Sequence, residues 1–148
     1  MDKNKEDKKN EDNKESKENK ENKYIKRLVD NEIEKMLKVT GAILIKGPKL
    51  CGKTTSAEQF AKSKLDLQDE DTKEKSIKIA ENKISLLLEG DKPRLIDEWQ
   101  EIPRIWNMVK TDVSRQGKEG LYLLTGSATP KDEITERITF WLGSFFFY

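Results

Sequence analysis

The sequence contains no histidine and only one cysteine, Cys51. Without imidazole there is no histidine general base, and most zinc sites are excluded. A single thiol cannot form a disulfide within the chain. Excess charge is missing as well: 29 Lys and Arg face 28 Asp and Glu, a net charge of +1. Bulk charge of that size points to neither nucleic acid nor a membrane surface. No run of about 18 apolar residues occurs, so no segment reads as a membrane span. The charged start has no apolar stretch of the kind a signal peptide needs, and the cytoplasm is the expected location.

What is present divides unevenly. Residues 1–23 are almost entirely Lys, Glu, Asp and Asn, with no apolar residue after Met1. Such a segment has nothing to bury and is expected to be disordered. Its acids and bases interleave, unlike the basic block of a nucleic-acid-binding arm. Residues 24–135 read as one domain, and residues 136–148 as an atypical aromatic end.

The domain carries one strong motif. Gly47-Pro48-Lys49-Leu50-Cys51-Gly52-Lys53-Thr54 fits G-x-x-x-x-G-K-[ST], a phosphate-binding loop. The apolar run Ala42 to Ile45 precedes it as a strand. Thr55 to Lys64 follows as a helix, with Ala57, Phe60 and Ala61 at helical spacing. Such a turn converges backbone N–H groups on one spot, and that spot holds phosphate. The candidate contacts are Gly47, Pro48, Lys49, Cys51, Gly52, Lys53, Thr54 and Thr55. Lys53 would reach the β- and γ-phosphates of ATP, and the Thr54 hydroxyl would ligate Mg²⁺. Cys51 reads as a small side chain in the loop rather than as a reactive thiol.

The rest of the pattern surrounds this motif with alternating helices and strands. Tyr24 to Thr40 reads as an amphipathic helix with Ile25, Leu28, Ile33, Met36 and Leu37 on one face. Leu65 to Leu67 reads as a short strand. Thr72 is placed to cap a helix over Lys73 to Leu88, whose face is Ile77, Ala80, Ile84, Leu87 and Leu88. Arg94 to Asp97 and Leu121 to Thr125 read as buried strands. Pro103 opens a helix with Ile102, Ile105, Trp106, Val109 and Val113 inward. The fold class is α/β: a P-loop NTPase parallel sheet with helices on both faces.

Two further signals sit at strand ends. Leu95-Ile96 runs into Asp97-Glu98. At the carboxyl end of a parallel strand, Asp97 would face the phosphate crevice and hold Mg²⁺ through water. Glu98 would polarise the attacking water. Thr125 and Ser127 end the last strand on one face, and either hydroxyl could sense a γ-phosphate; spacing does not choose between them.

The segments Tyr24 to Arg27, Gly47 to Thr54, Pro93 to Gln100 and Leu124 to Pro130 together resemble a family of prokaryotic AAA-type ATPases. In that family the ATPase domain precedes a longer C-terminal domain of unknown function. The continuation of Asp97-Glu98 into Trp99-Gln100 makes the likeness specific. It implies nucleotide binding at Gly47, Gly52, Lys53 and Thr54, Mg²⁺ support by Asp97, a catalytic acid at Glu98 and a sensor at Ser127. Lys53 joins Glu98 and Ser127 as the candidate catalytic set. The likeness fades after Pro130, so the domain reads as incomplete at its C-terminus, and Arg137 is assigned no role. The implied activity is Mg²⁺-dependent ATP hydrolysis. The alternative is a nucleotide-binding switch, or a truncated and hydrolysis-deficient remnant of a larger ATPase. A homo-oligomer or a missing C-terminal domain is the expected partner.

Overall fold

A computed structural model describes residues 23–127. The expectations for residues 1–22 and for 128–148, Arg137 among them, concern residues outside that range. Ten elements follow one another: α1 (Leu28–Leu37), β1 (Ala42–Gly47), α2 (Lys53–Glu58), β2 (Ser63–Asp66), α3 (Glu70–Lys83), a 3₁₀ segment (Ile84–Leu88), β3 (Arg94–Asp97), a 3₁₀ turn (Trp99–Glu101), α4 (Arg104–Gln116) and β4 (Tyr122–Ser127). The four strands form one parallel sheet in the order β1-β4-β3-β2. The chain therefore inserts β4 between the strand before the phosphate loop and the strand that ends in Asp97.

The sheet is buried on both faces, which is why its central strands are apolar without alternation. One face sets Leu44, Ile96 and Leu124 against Ala80, Leu87, Leu88, Ile105, Trp106 and Val109 of α3, its 3₁₀ extension and α4. The other sets Ile43, Ile45, Leu95 and Leu123 against Ile33 of α1 and Ala57 of α2. Truncating a side chain such as Leu124 to alanine would cost about 2–5 kcal/mol, from lost transfer energy plus a cavity. The register brings strand ends into line: Gly47 pairs with Ser127, and Asp66 with Asp97.

The helices depart from their sequence pattern in three places. α1 starts at Leu28, not Tyr24, and Ile25 and Leu28 lie exposed. Tyr24 is instead held by its hydroxyl, and Asp30 accepts the Arg27 N–H at the helix start (2.7 Å). α2 ends at Glu58, because the chain must turn by Ser63 to enter the edge strand. α3 is capped by Asp69, not Thr72: the Asp69 carboxylate accepts from both the Thr72 N–H (2.9 Å) and its hydroxyl (2.6 Å). Ile77 faces outward while Ser76 is buried, its hydroxyl returned to the Thr72 carbonyl. The tightening to 3₁₀ geometry after Lys83 rotates Leu87 and Leu88 into the core.

Candidate functional site

The phosphate loop turns on two left-handed residues, Leu50 (φ 62°) and Gly52 (φ 88°). A side chain at Gly52 would collide with the guanidinium of Arg27, 1.9 Å from its Cβ position. Arg27 donates to the Gly52 carbonyl (2.9 Å) and to the Ser56 hydroxyl (3.3 Å), and the Tyr24 hydroxyl lies 3.2 Å from the same Ser56 oxygen. The stretch before α1 thus clamps the start of α2. Lys53 is buried, and its ammonium donates to the carbonyls of Gly47 (2.9 Å) and Pro48 (2.8 Å).

Asp97 is the centre of the site. It is almost fully buried at the tip of β3. Its Oδ1 accepts from the hydroxyls of Thr54 (2.8 Å) and Thr125. Its Oδ2 accepts from the Gln68 amide (3.2 Å) and faces the Lys64 ammonium at 3.6 Å. Three hydrogen bonds and one longer ion-pair contact thus occupy most of the four or so lone-pair positions of the carboxylate. Lys64 also pairs with Glu58 and Asp66; burial works to lower its pKa, but those bonds raise it above the usual lysine value.

Glu98 follows with φ 55°, in the left-handed region that a side chain disfavours. Its N–H donates to the Thr125 hydroxyl (3.3 Å), and its Oε2 accepts from the Gln100 amide and from the Ser127 hydroxyl (3.3 Å). Among the described residues no donor meets Oε1. Thr125 therefore braces both acids from inside the sheet, fully buried, while Ser127 reaches only Glu98.

A cavity of about 700 Å³ opens beside these groups. Lys49, Gly52, Lys53, Thr54 and Thr55 of the predicted set line it, with Asp97 and Glu98. Gly47, Pro48, Cys51 and Ser127 do not, and Cys51 is exposed. From β2, α3 and the turn between them come Lys64, Asp66, Gln68, Glu70 and Lys73, none of which the sequence singled out as a site residue. The signal for Lys64 and Gln68 was the pairing of β2 with β3, which pattern reading does not supply. Among the described residues no cluster of three metal-ligating side chains occurs, and no helix is long and apolar enough to cross a membrane.

Residues 39–139 match the AAA domain family. No curated protein and no solved structure proved similar to the chain. The matched stretch includes the 47–54 loop, Asp97 at the end of β3 with Glu98 after it, and all of β4, and a four-stranded parallel sheet carries them at its strand ends. With most of its length covered by that match, the chain belongs to the AAA domain family and contains a nucleotide-binding domain of the AAA type.

Proposed function

We propose that the chain binds ATP with Mg²⁺ and hydrolyses the bond between its β- and γ-phosphates. The observation that carries this reading is the division of labour between two adjacent carboxylates. Asp97 is buried and takes three hydrogen bonds; Glu98, which lines the same cavity, accepts only on Oε2 among the described residues.

The oxygen donors present suit Mg²⁺. Thr54 gives its hydroxyl proton to Asp97, which leaves its oxygen lone pairs available to a hard cation. Because Asp97 is buried and already accepts three hydrogen bonds, its contact with the cation would run through water. No protein cage of three carboxylates is needed, since Mg²⁺ keeps several waters and takes substrate phosphates. When bound, Mg²⁺ would neutralise charge on the β- and γ-oxygens. That help matters here, because four lysines lining the cavity are offset by five carboxylates. A polyanionic triphosphate gains little from the bulk field of such a cavity and must be held by local donors.

Lys53 would leave its two loop carbonyls for the phosphate oxygens. Glu98 Oε1 would take a proton from water as the water oxygen attacks the γ-phosphorus. The bond from that phosphorus to the bridging oxygen breaks, ADP and phosphate leave, and Glu98 returns its proton to solvent. Thr125 is tied to both acids and Ser127 to Glu98 alone, so Ser127 would meet the γ-phosphate only by releasing Glu98.

The test is Glu98→Gln. It should leave Mg-ATP affinity within a few-fold and slow turnover about a hundredfold or more, the worth of a positioned base. Binding and turnover falling together would make Glu98 a structural or binding residue instead.

A further inference from the structure

We infer that Gln100 is a positioning residue for the hydrolytic carboxylate, and that residue 126 is glycine to make room for it. This rests on the reading of Glu98 above.

The geometry begins with the turn after β3. Trp99 is buried and packs on Trp106, with ring centroids 5.5 Å apart. That anchor holds a 3₁₀ turn closed by hydrogen bonds from Glu101 N–H to the Glu98 carbonyl (3.0 Å) and from Ile102 N–H to the Trp99 carbonyl (3.1 Å). The left-handed Glu98 and the tight turn fold Gln100 back over its neighbour two residues earlier. Its amide nitrogen donates to Glu98 Oε2, the oxygen that also accepts from Ser127. Two donors on one oxygen fix the plane of the carboxylate and leave Oε1 as its working atom.

The carboxylate of Glu98 decides which way this amide faces. Among the described residues, Gln100 Oε1 is buried without a hydrogen-bond partner. An unpartnered buried acceptor is unfavourable. Turning the amide over would be worse, because it would set a carbonyl oxygen against a carboxylate oxygen. Glu98 therefore dictates which way Gln100 points. The displaced oxygen sits over Gly126: a Cβ there would lie 2.8 Å from Gln100 Oε1 and 3.0 Å from the Trp99 indole nitrogen. Alanine at 126 would push the Gln100 amide, the end of a flexible side chain, off Glu98, and would also press the Trp99 indole by a few tenths of an ångström. Gln100 does not line the nucleotide cavity. It acts through Glu98 and not on the nucleotide.

The experiment is a double-mutant cycle in the full chain, with Mg-ATP. Gln100→Ala should lower kcat about tenfold or more, the worth of one hydrogen bond to a charged group. KM and calorimetric affinity should stay within about twofold. In the Glu98→Gln background the same change should lower kcat no further, because the group it positions is gone. Gly126→Ala should reproduce the kcat loss. A readout independent of turnover is the Gln100 side-chain amide resonance in a ¹⁵N-labelled sample, which should move in Glu98→Gln. Additive losses, a rise in KM with kcat unchanged, or an unmoved amide resonance would overturn the role. Turnover lost in Glu98→Gln but kept in Gln100→Ala would overturn the role of Gln100 alone. Turnover untouched by Glu98→Gln would remove the hydrolytic reading beneath it.

Discussion

Two buried charges set the chemistry at the scale of single residues. The Lys53 ammonium is satisfied by two carbonyls of its own loop; in the proposed reading, a nucleotide would exchange those contacts for phosphate oxygens. Removing the charge removes the exchange. Lys53→Ala should weaken Mg-ATP binding about tenfold or more, since a hydrogen bond to a charged group is worth roughly 1.5–3 kcal/mol. Calorimetry giving unchanged affinity for a folded variant would refute the phosphate-loop assignment. The second charge lies at the other end of β4. Asp112 accepts from Tyr122, Arg115 and Gln116. Burial pushes its carboxyl up, but these bonds outweigh that and hold it below the usual range. Burial, and then the bond to Asp112, raise the Tyr122 hydroxyl well above the usual tyrosine value. A carboxyl depressed by folding contributes stability that is complete above about pH 4 and fades as pH falls through its folded value. Tyr122→Phe should therefore destabilise the fold at pH 7 by roughly 1.5–3 kcal/mol, the range for a bond to a charged group. The deficit measured by urea unfolding should shrink once the pH is low enough to protonate Asp112. A deficit independent of pH would assign the loss to packing. Residue identity alone announced Lys53, Thr54, Asp97 and Glu98, because spacing and strand ends define them. It did not choose between Thr125 and Ser127. Only the hydrogen bonds separate the buried brace from the hydroxyl that reaches Glu98 alone.

Elements were legible where burial was uniform and obscure where local bonding ruled. β1, β3, β4 and α4 follow their apolar patterns within a residue or two, because both faces of the sheet and one face of α4 are covered. The start of α1 was not legible, because Ile25 and Leu28 continue the apolar periodicity yet stand exposed among the described residues. The contact of Gln100 with Glu98 was equally hidden: it depends on a left-handed backbone at a glutamate, which no propensity suggests. The start of α3 turned on a choice between two capping residues three apart. Asp69 holds the Thr72 N–H and hydroxyl together, and those bonds lower its pKa. Asp69→Ala should thus lower the melting temperature by a few degrees, whereas Asp69→Asn, an equivalent cap, should not. Equal losses in both would place the effect in charge rather than in capping. The element matters for function because α3 follows directly on Gln68, which donates to Asp97.

The whole molecule converges on one carboxylate. Thr54 comes from α2, Thr125 from β4, Lys64 from β2 and Gln68 from the turn after it, and all four meet Asp97 on β3. Those partners are brought together only when the strand order β1-β4-β3-β2 is in register. A ligand bound at this point is bound to the assembled sheet and not to the unfolded chain. Binding must then stabilise the fold as a unit, by about 2.7 kcal/mol at a hundred times Kd. For a domain of this size that raises the melting temperature by roughly 10 °C or more. We expect that shift with Mg-ATP, a smaller one with ATP and a chelator, and none in Lys53→Ala at the same concentration. Thr125→Val should act differently. It strips one donor from Asp97 and the acceptor of the Glu98 N–H, so it should lower the melting temperature before any nucleotide is added. Differential scanning calorimetry of the three proteins separates these outcomes. A Thr125→Val protein as stable as the parent would show that Asp97 does not tie the sheet together. An undiminished Mg-ATP shift in Lys53→Ala would show that the stabilising ligand sits elsewhere than the phosphate loop.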